Sequence, residues 1–234
     1  NFIHVSGKKP GNYISYGARE FGMATIMNGL SLHGGFLPFG GTFNVFSDYM
    51  RNAIRMSALM NRKVIYLLSH DSISVAEDGP THQSIETTVG LRIIPNLNVW
   101  RPSNSVETAI SWVSAISNNN PTAIILNIEK SKNVEVPKTE IENIYKGGYI
   151  LRKEERMLEL VIIATGSELE IAEEASEDLI KKGIGVRLVS MPCTNIFDNQ
   201  SEKYKKSVIP ENTKCISIEA GITKFWKIYT GRNG

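Results

Sequence analysis

The chain has 234 residues, 41% hydrophobic and 21% charged, and its formal net charge of +2 comes from cations scattered among carboxylates. That balance gives no basic stripe for nucleic acid or an acidic membrane surface, and no apolar run reaches the ~20 residues of a membrane span. The two cysteines, Cys193 and Cys215, form no CxxC pair, which suits a reducing, cytoplasmic compartment.

Short β-branched apolar runs alternate with helical periodicities, the pattern of βαβ units around a parallel sheet. Residues 18–32 are expected to form a helix. Residues 42–60 are expected to form another, with Phe43, Phe46, Met50 and Ala53 three or four apart on one face. The run VIYLLS at 64–69 reads as a buried strand, followed by a polar loop over 70–83. A short strand at 98–100, a helix at 106–117 and a strand at 123–128 come next. Residues 129–148 are rich in lysine and glutamate, carry Pro137 and end in Gly147-Gly148, and so read as a linker. Beyond it lie a strand at 160–164, a helix at 167–182 stopped by Gly183, and strands at 186–190 and 215–218. The expectation is two α/β domains, 1–128 and 149–234. Both ends of the chain, Asn1 and Gly234, read as cut.

In open parallel sheets ligands bind beyond the carboxyl ends of strands, which directs attention to the loop after VIYLLS. It carries His70-Asp71-Ser72 and then Glu77-Asp78-Gly79-Pro80-Thr81-His82-Gln83, with two of the four histidines. Histidine titrates near neutral pH and carboxylates orient it, so the loop is a candidate acid/base or substrate-binding element. A solvated loop with a tight Asp-Gly-Pro turn explains the same spacing. His70 and His82 lack the i, i+4 spacing of a helical zinc motif, so no metal site is expected. Glu20, near the start of the first helix, suits a helix N-terminus electrostatically, or offers a carboxyl for proton exchange. Phe43, Phe46 and Tyr49 read as core, or as a flat wall for a heteroaromatic ring. Thr165-Gly166-Ser167-Glu168 opens a helix, where backbone N–H groups hold anions, although a short turn needs the same glycine.

Taken in order, these segments resemble the transketolase family. Gly17-Ala18-Arg19-Glu20-Phe21-Gly22-Met23, Leu32-His33-Gly34-Gly35, residues 43–52, His70-Asp71-Ser72-Ile73, the 77–83 segment, Trp100-Arg101-Pro102 and Thr165-Gly166-Ser167-Glu168 follow the family's order and spacing over nearly the whole chain. The resemblance implies a three-layer, parallel-sheet domain binding the pyrimidine of thiamine diphosphate, then a truncated second α/β domain. It implies transfer of a two-carbon ketol unit between sugar phosphates. Glu20 matches the glutamate that contacts the cofactor's pyrimidine nitrogen and exchanges a proton there. Phe43 and Phe46 match the aromatic wall, with Tyr49 beside them. His70, Asp78 and His82 match donor-substrate residues, with His70 and His82 helping to move its protons.

The family holds the diphosphate and its divalent ion, Mg2+ or Ca2+, on an earlier domain with a Gly-Asp-Gly motif, and no such motif occurs here. An N-terminal diphosphate-binding domain or subunit is therefore implied, and, because the family's sites lie between subunits, so is a homodimer-type partner; the isolated chain is expected to be inactive. Ile128 stands where the family has an arginine for the substrate phosphate, which an apolar side chain cannot replace. Lys130 compensates, or the register is offset by one residue, or sugar-phosphate binding is weaker. Deoxyxylulose-phosphate synthase and keto-acid dehydrogenase β subunits share the domain order, but Gln83 after His82 and the context of Glu20 weigh against them. A non-catalytic remnant would explain Ile128, yet leaves the joint presence of Glu20, His70, Asp78 and His82 unexplained.

Overall fold

The computed structural model describes residues 11–71, 73, 75, 77–128 and 134–232. The first half runs through α1 (Glu20–His33), β1 (Phe39–Phe43), a 3-10 segment (Asn44–Met50), α2 (Arg51–Leu59), β2 (Ile65–Ser69), α3 (Thr87–Arg92), β3 (Asn98–Trp100), α4 (Ser105–Ser117) and β4 (Thr122–Ile125). Its strands pair in the order β1-β2-β4-β3, all parallel. The alternation of strand side chains explains the continuous apolar runs. Tyr66 and Leu68 of β2 enter a core with Met23, Met27 and Ile54. Ile65 enters the opposite core with Trp100, Ile110 and Ile124.

The helix expected over 42–60 is divided. Phe43 ends β1, residues 44–50 wind as 3-10, and only Arg51–Leu59 is α-helical. Tertiary pairing is the reason, since β1 runs alongside β2 from Phe39↔Ile65 to Phe43↔Ser69. Gly40 and Gly41 conceal this strand in the sequence, because glycine is a poor strand former. At Gly40 the glycine is needed: a Cβ there would sit 2.7 Å from Met27 Sδ and 2.9 Å from Met23 Sδ, where α1 presses on the sheet.

The second half contains a 3-10 turn (Lys138–Glu140), α5 (Ile141–Ile144), β5 (Tyr149–Arg152), β6 (Leu160–Ala164), α6 (Glu168–Lys181), β7 (Val186–Ser190), α7 (Thr194–Asp198), α8 (Glu202–Val208), β8 (Lys214–Ile218), a further 3-10 turn (Thr223–Trp226) and α9 (Lys227–Thr230). The strand order is β5-β7-β6-β8. β6 is parallel to β7 and β8, whereas β5, absent from the sequence expectation, runs antiparallel to β7. Val161, Ile163 and Val189 face Phe197, Val208 and Trp226. Ile162, Ala164 and Leu188 face the other way and share one apolar layer with Trp100, Ile110 and Ile124 of the first half. Glu107 of α4 is buried in this joint and accepts from the Tyr149 hydroxyl at 2.9 Å and Ser190 Oγ at 2.6 Å. Among the described residues, no helix is long and apolar enough to cross a membrane.

Val134 and Ile144 are buried in that shared layer, and Gly147 fits into it through its backbone. Gly147 has φ +83°, and a Cβ would lie 2.3 Å from the Cys193 carbonyl oxygen and 2.7 Å from the Phe197 nitrogen. Gly147→Ala is therefore expected to destabilise by about 2–3 kcal/mol, through both positive φ and overpacking. A urea unfolding midpoint equal to the parent's would refute this.

Candidate active site

The parallel register sets Phe43, the last residue of β1, beside Ser69, the last of β2, so the loops that follow leave one sheet edge together. Phe43 ends β1 and directly precedes the 3-10 segment that carries Phe46 and Tyr49, whose three residues per turn align positions three apart on one face. Their rings form a ladder: Phe43 and Phe46 lie nearly parallel, with centroids 5.5 Å apart, and Phe46 and Tyr49 are 5.9 Å apart. The helix face expected for these three residues is thus a strand end, Phe43, continued by a 3-10 face with Phe46 and Tyr49. Tyr49 is 70% exposed, so the ladder ends in solvent.

His70 follows β2 directly, in the left-handed backbone region with φ +56°. That conformation is sparsely populated by residues with a Cβ and clusters at functional sites. Its imidazole stacks on Phe43 with centroids 3.5 Å apart and 16° between planes, and its Nδ1 meets Ser69 Oγ at 2.8 Å. His82 closes the 3-10 turn Pro80–His82, which Gly79 enters at φ +78°. The His82 ring stands edge-on to Phe46 at 5.3 Å and to Phe43 at 6.4 Å, with Nδ1 2.9 Å from Thr81 Oγ1. The fold thus gathers Phe43, Phe46, Tyr49, His70 and His82 into one group.

Glu20 heads α1 and is half-buried, and Asp78 is exposed beside Gly79. Among the described residues, no hydrogen bond or ring contact joins either to the ring group. Ile128, expected within a strand over 123–128, lies three residues beyond the end of β4 and is 50% exposed. Ser72 and Lys130 lie outside the described residues. Cys193 and Cys215 are free and buried, and burial pushes each thiol up to about 12.

Beneath the histidine loop runs a buried polar network without a local sequence signal. The Asp71 carboxylate accepts from Arg101 Nε at 2.6 Å, Asn44 Nδ2 at 2.8 Å and Ser84 Oγ at 3.1 Å. Arg101 Nη1 donates to the Thr165 carbonyl and hydroxyl, both at 2.8 Å, and to Glu168 at 2.5 Å. Arg92 makes a forked pair with Glu219, both bonds 2.7 Å, and its guanidinium lies 5.2 Å from the Phe225 ring centroid and 5.3 Å from that of Trp226. Burial by itself disfavours the charged form of Arg101. Asp71, Glu219 and Glu168 outweigh it and hold the guanidinium charged, above its ordinary range. Thr165-Gly166-Ser167-Glu168, weighed above as an anion-binding turn, here receives a cation. Among the described residues, no three His, Cys, Asp or Glu side chains converge as a metal site.

The chain matches the family model for the transketolase pyrimidine-binding domain over residues 2–132 and that for the transketolase-like C-terminal domain over residues 147–234. It is 50% identical over 233 residues to a plasmid transketolase of Cupriavidus necator, an alignment covering 99% of this chain and 35% of that protein. It resembles a solved transketolase of Pichia stipitis in complex with sedoheptulose 7-phosphate (TM-score 0.88, 40% identity, 93% of this chain and 32% of that one). It also resembles a split-gene transketolase described as an inactive β4 tetramer (TM-score 0.72, 25% identity, 88% of this chain and 64% of that one). The chain spans about a third of the length of the curated relatives it matches. With both family models matched in order and half the residues identical to a curated member, the chain belongs to the transketolase family.

Proposed function

We propose that this chain supplies the pyrimidine side of a thiamine-diphosphate-dependent transketolase site, transferring a two-carbon ketol unit between sugar phosphates. The observation that carries this reading is the ladder of Phe43, Phe46 and Tyr49 capped by His70 and His82. Parallel, part-exposed aromatic rings fit a flat heteroaromatic ring, which prefers offset stacking or edge contact. Bound there, the cofactor would supply a carbon acid whose deprotonated form is a nucleophile toward ketoses. Glu20 holds a proton at the pyrimidine nitrogen. His70, Asp78 and His82 bind the donor and, through the imidazoles, move its protons.

The diphosphate and its Mg2+ or Ca2+ belong, in this reading, to an N-terminal domain or subunit, and a homodimer-type partner completes the assembly. The split-gene relative favours a chain that is inactive by itself. We further propose that residues 1–128 and 149–234 form the two domains, joined by 129–148, in a cytoplasmic enzyme. Ile128 would leave the substrate phosphate to another cation. The test is ketol transfer from xylulose 5-phosphate to ribose 5-phosphate, with and without a matching diphosphate-binding domain. Activity only with both is expected. A preference for pyruvate as donor would shift the assignment to a synthase of the deoxyxylulose type, and cofactor binding without transfer of either donor would favour a remnant.

A further inference from the structure

We propose that Arg101 is a positioning residue through which the second half of the chain sets the orientation of His70. The proposal rests on the transketolase reading for its kinetic consequence but not for its structural one.

His70 occupies a backbone conformation that its own Cβ disfavours, so something beyond the residue must hold it there. The next residue, Asp71, is the anchor: it is buried and ionised groups are not left unpaired in such surroundings. Its Oδ2 accepts from Arg101 Nε, and its Oδ1 accepts from Asn44 Nδ2. Asn44 directly follows Phe43. Asp71 therefore ties together both backbones that carry the 3.5 Å stack of His70 on Phe43.

Arg101, in turn, is fixed by the second sheet. Its N–H donates to the Pro192 carbonyl at 2.7 Å, and its carbonyl accepts from the Gly166 N–H at 3.1 Å. Its Nη1 is held by Thr165 and Glu168 at the turn after β6. Gly166 permits this approach: at φ +54° a Cβ would lie 2.5 Å from Arg101 Nη1. The guanidinium is rigid and planar, so fixing Nη1 also aims Nε at Asp71. Lysine has a point charge on a flexible stem and cannot transmit direction in this way. The second sheet contributes no ring to the group around His70, yet reaches it in two steps: Thr165 and Glu168 to Arg101, and Arg101 to Asp71.

The experiment uses the chain assembled with its diphosphate-binding domain and compares Arg101→Lys and Glu168→Gln with the parent. Each histidine's modification by diethyl pyrocarbonate is followed by peptide mass spectrometry, with the exposed His33 as internal reference. The ratio of His70 to His33 modification is expected to rise about fivefold in Arg101→Lys, the scale of releasing one strained residue. It should rise less in Glu168→Gln. In Arg101→Lys, kcat/KM for xylulose 5-phosphate is expected to fall roughly 10- to 100-fold, as small misplacements do. A role confined to stability would lower the melting temperature and leave the ratio unchanged, which overturns the proposal. If Arg101→Lys fails to fold, Glu168→Gln decides by the same ratio. If the assembled parent transfers no ketol unit, the transketolase reading fails, while the ratio still tests the relay.

Discussion

Glu20→Gln, in the assembled enzyme, is expected to slow exchange of the cofactor's C2 proton on the order of 10^3-fold, the usual reach of a positioned acid–base group. Glutamine keeps the shape and hydrogen-bonding length of the side chain but cannot exchange a proton, so the loss isolates chemistry from packing. The fold should persist, because α1 is anchored through Met23, Ala24, Met27 and Asn28 rather than through Glu20. Asn28 adds a directional tie, donating to the Ala53 carbonyl at 2.9 Å. Losing one carboxylate from the first turn costs the helix about 0.3–1 kcal/mol, too little to unfold a domain. Hydrogen–deuterium exchange at C2, followed by NMR beside a thermal melt, reads both quantities. Exchange at the parental rate would sink the role assigned to Glu20.

The second large effect concerns stability. Arg92 of α3 and Glu219, just after β8, are 127 residues apart in sequence and form a forked pair whose side chains are 1% and 3% exposed. Removing one partner strands the other charge away from water, which typically costs about 3–5 kcal/mol. Glu219→Gln is expected to lose stability in that range. Burial pushes the Glu219 carboxyl up, but Arg92, then Arg101 and the Thr165 hydroxyl, outweigh it and bring it down to about 2 from an ordinary 4.5. A depressed folded-state value means the stabilisation is fully present above pH 4.5 and fades as pH falls toward 2. The parent should lose this component between pH 4.5 and 2, and Glu219→Gln, which has no carboxyl to protonate, should show a flatter profile there. Denaturant unfolding across that window checks it. Parallel profiles for the two proteins would show that the pair does not govern acid stability.

Much of the strand framework was legible in the residues. The expected strands at 98–100, 160–164 and 186–190 coincide with β3, β6 and β7, because each is dominated by β-branched or large apolar residues, which favour a buried pleated strand. The helices over α1, α4 and α6 were displaced by no more than two residues; in α4 and α6 an amphipathic period records the face they bury. The candidate loops were legible as well, because the strand before each of them was. β1 was not: Gly40, needed so that α1 can press on the sheet, and Gly41 beside it erase the side-chain pattern that would announce a strand. Nor was the antiparallel β5, as four residues carry no sign of direction. The polar relay under His70 lay furthest from view. Asp71, Arg92, Arg101, Glu168 and Glu219 are ordinary charged residues whose bonded partners lie 30 to 127 positions away, and only the packing of one half against the other removes the water that would otherwise screen them. Thus local pattern determined most of the strands and helices, because burial acts residue by residue, and failed where tertiary pairing overrode it, at β1, the 44–50 segment and β5. Tertiary structure alone decided which charges meet, because pairing in a dry interior depends on partners brought together by the fold.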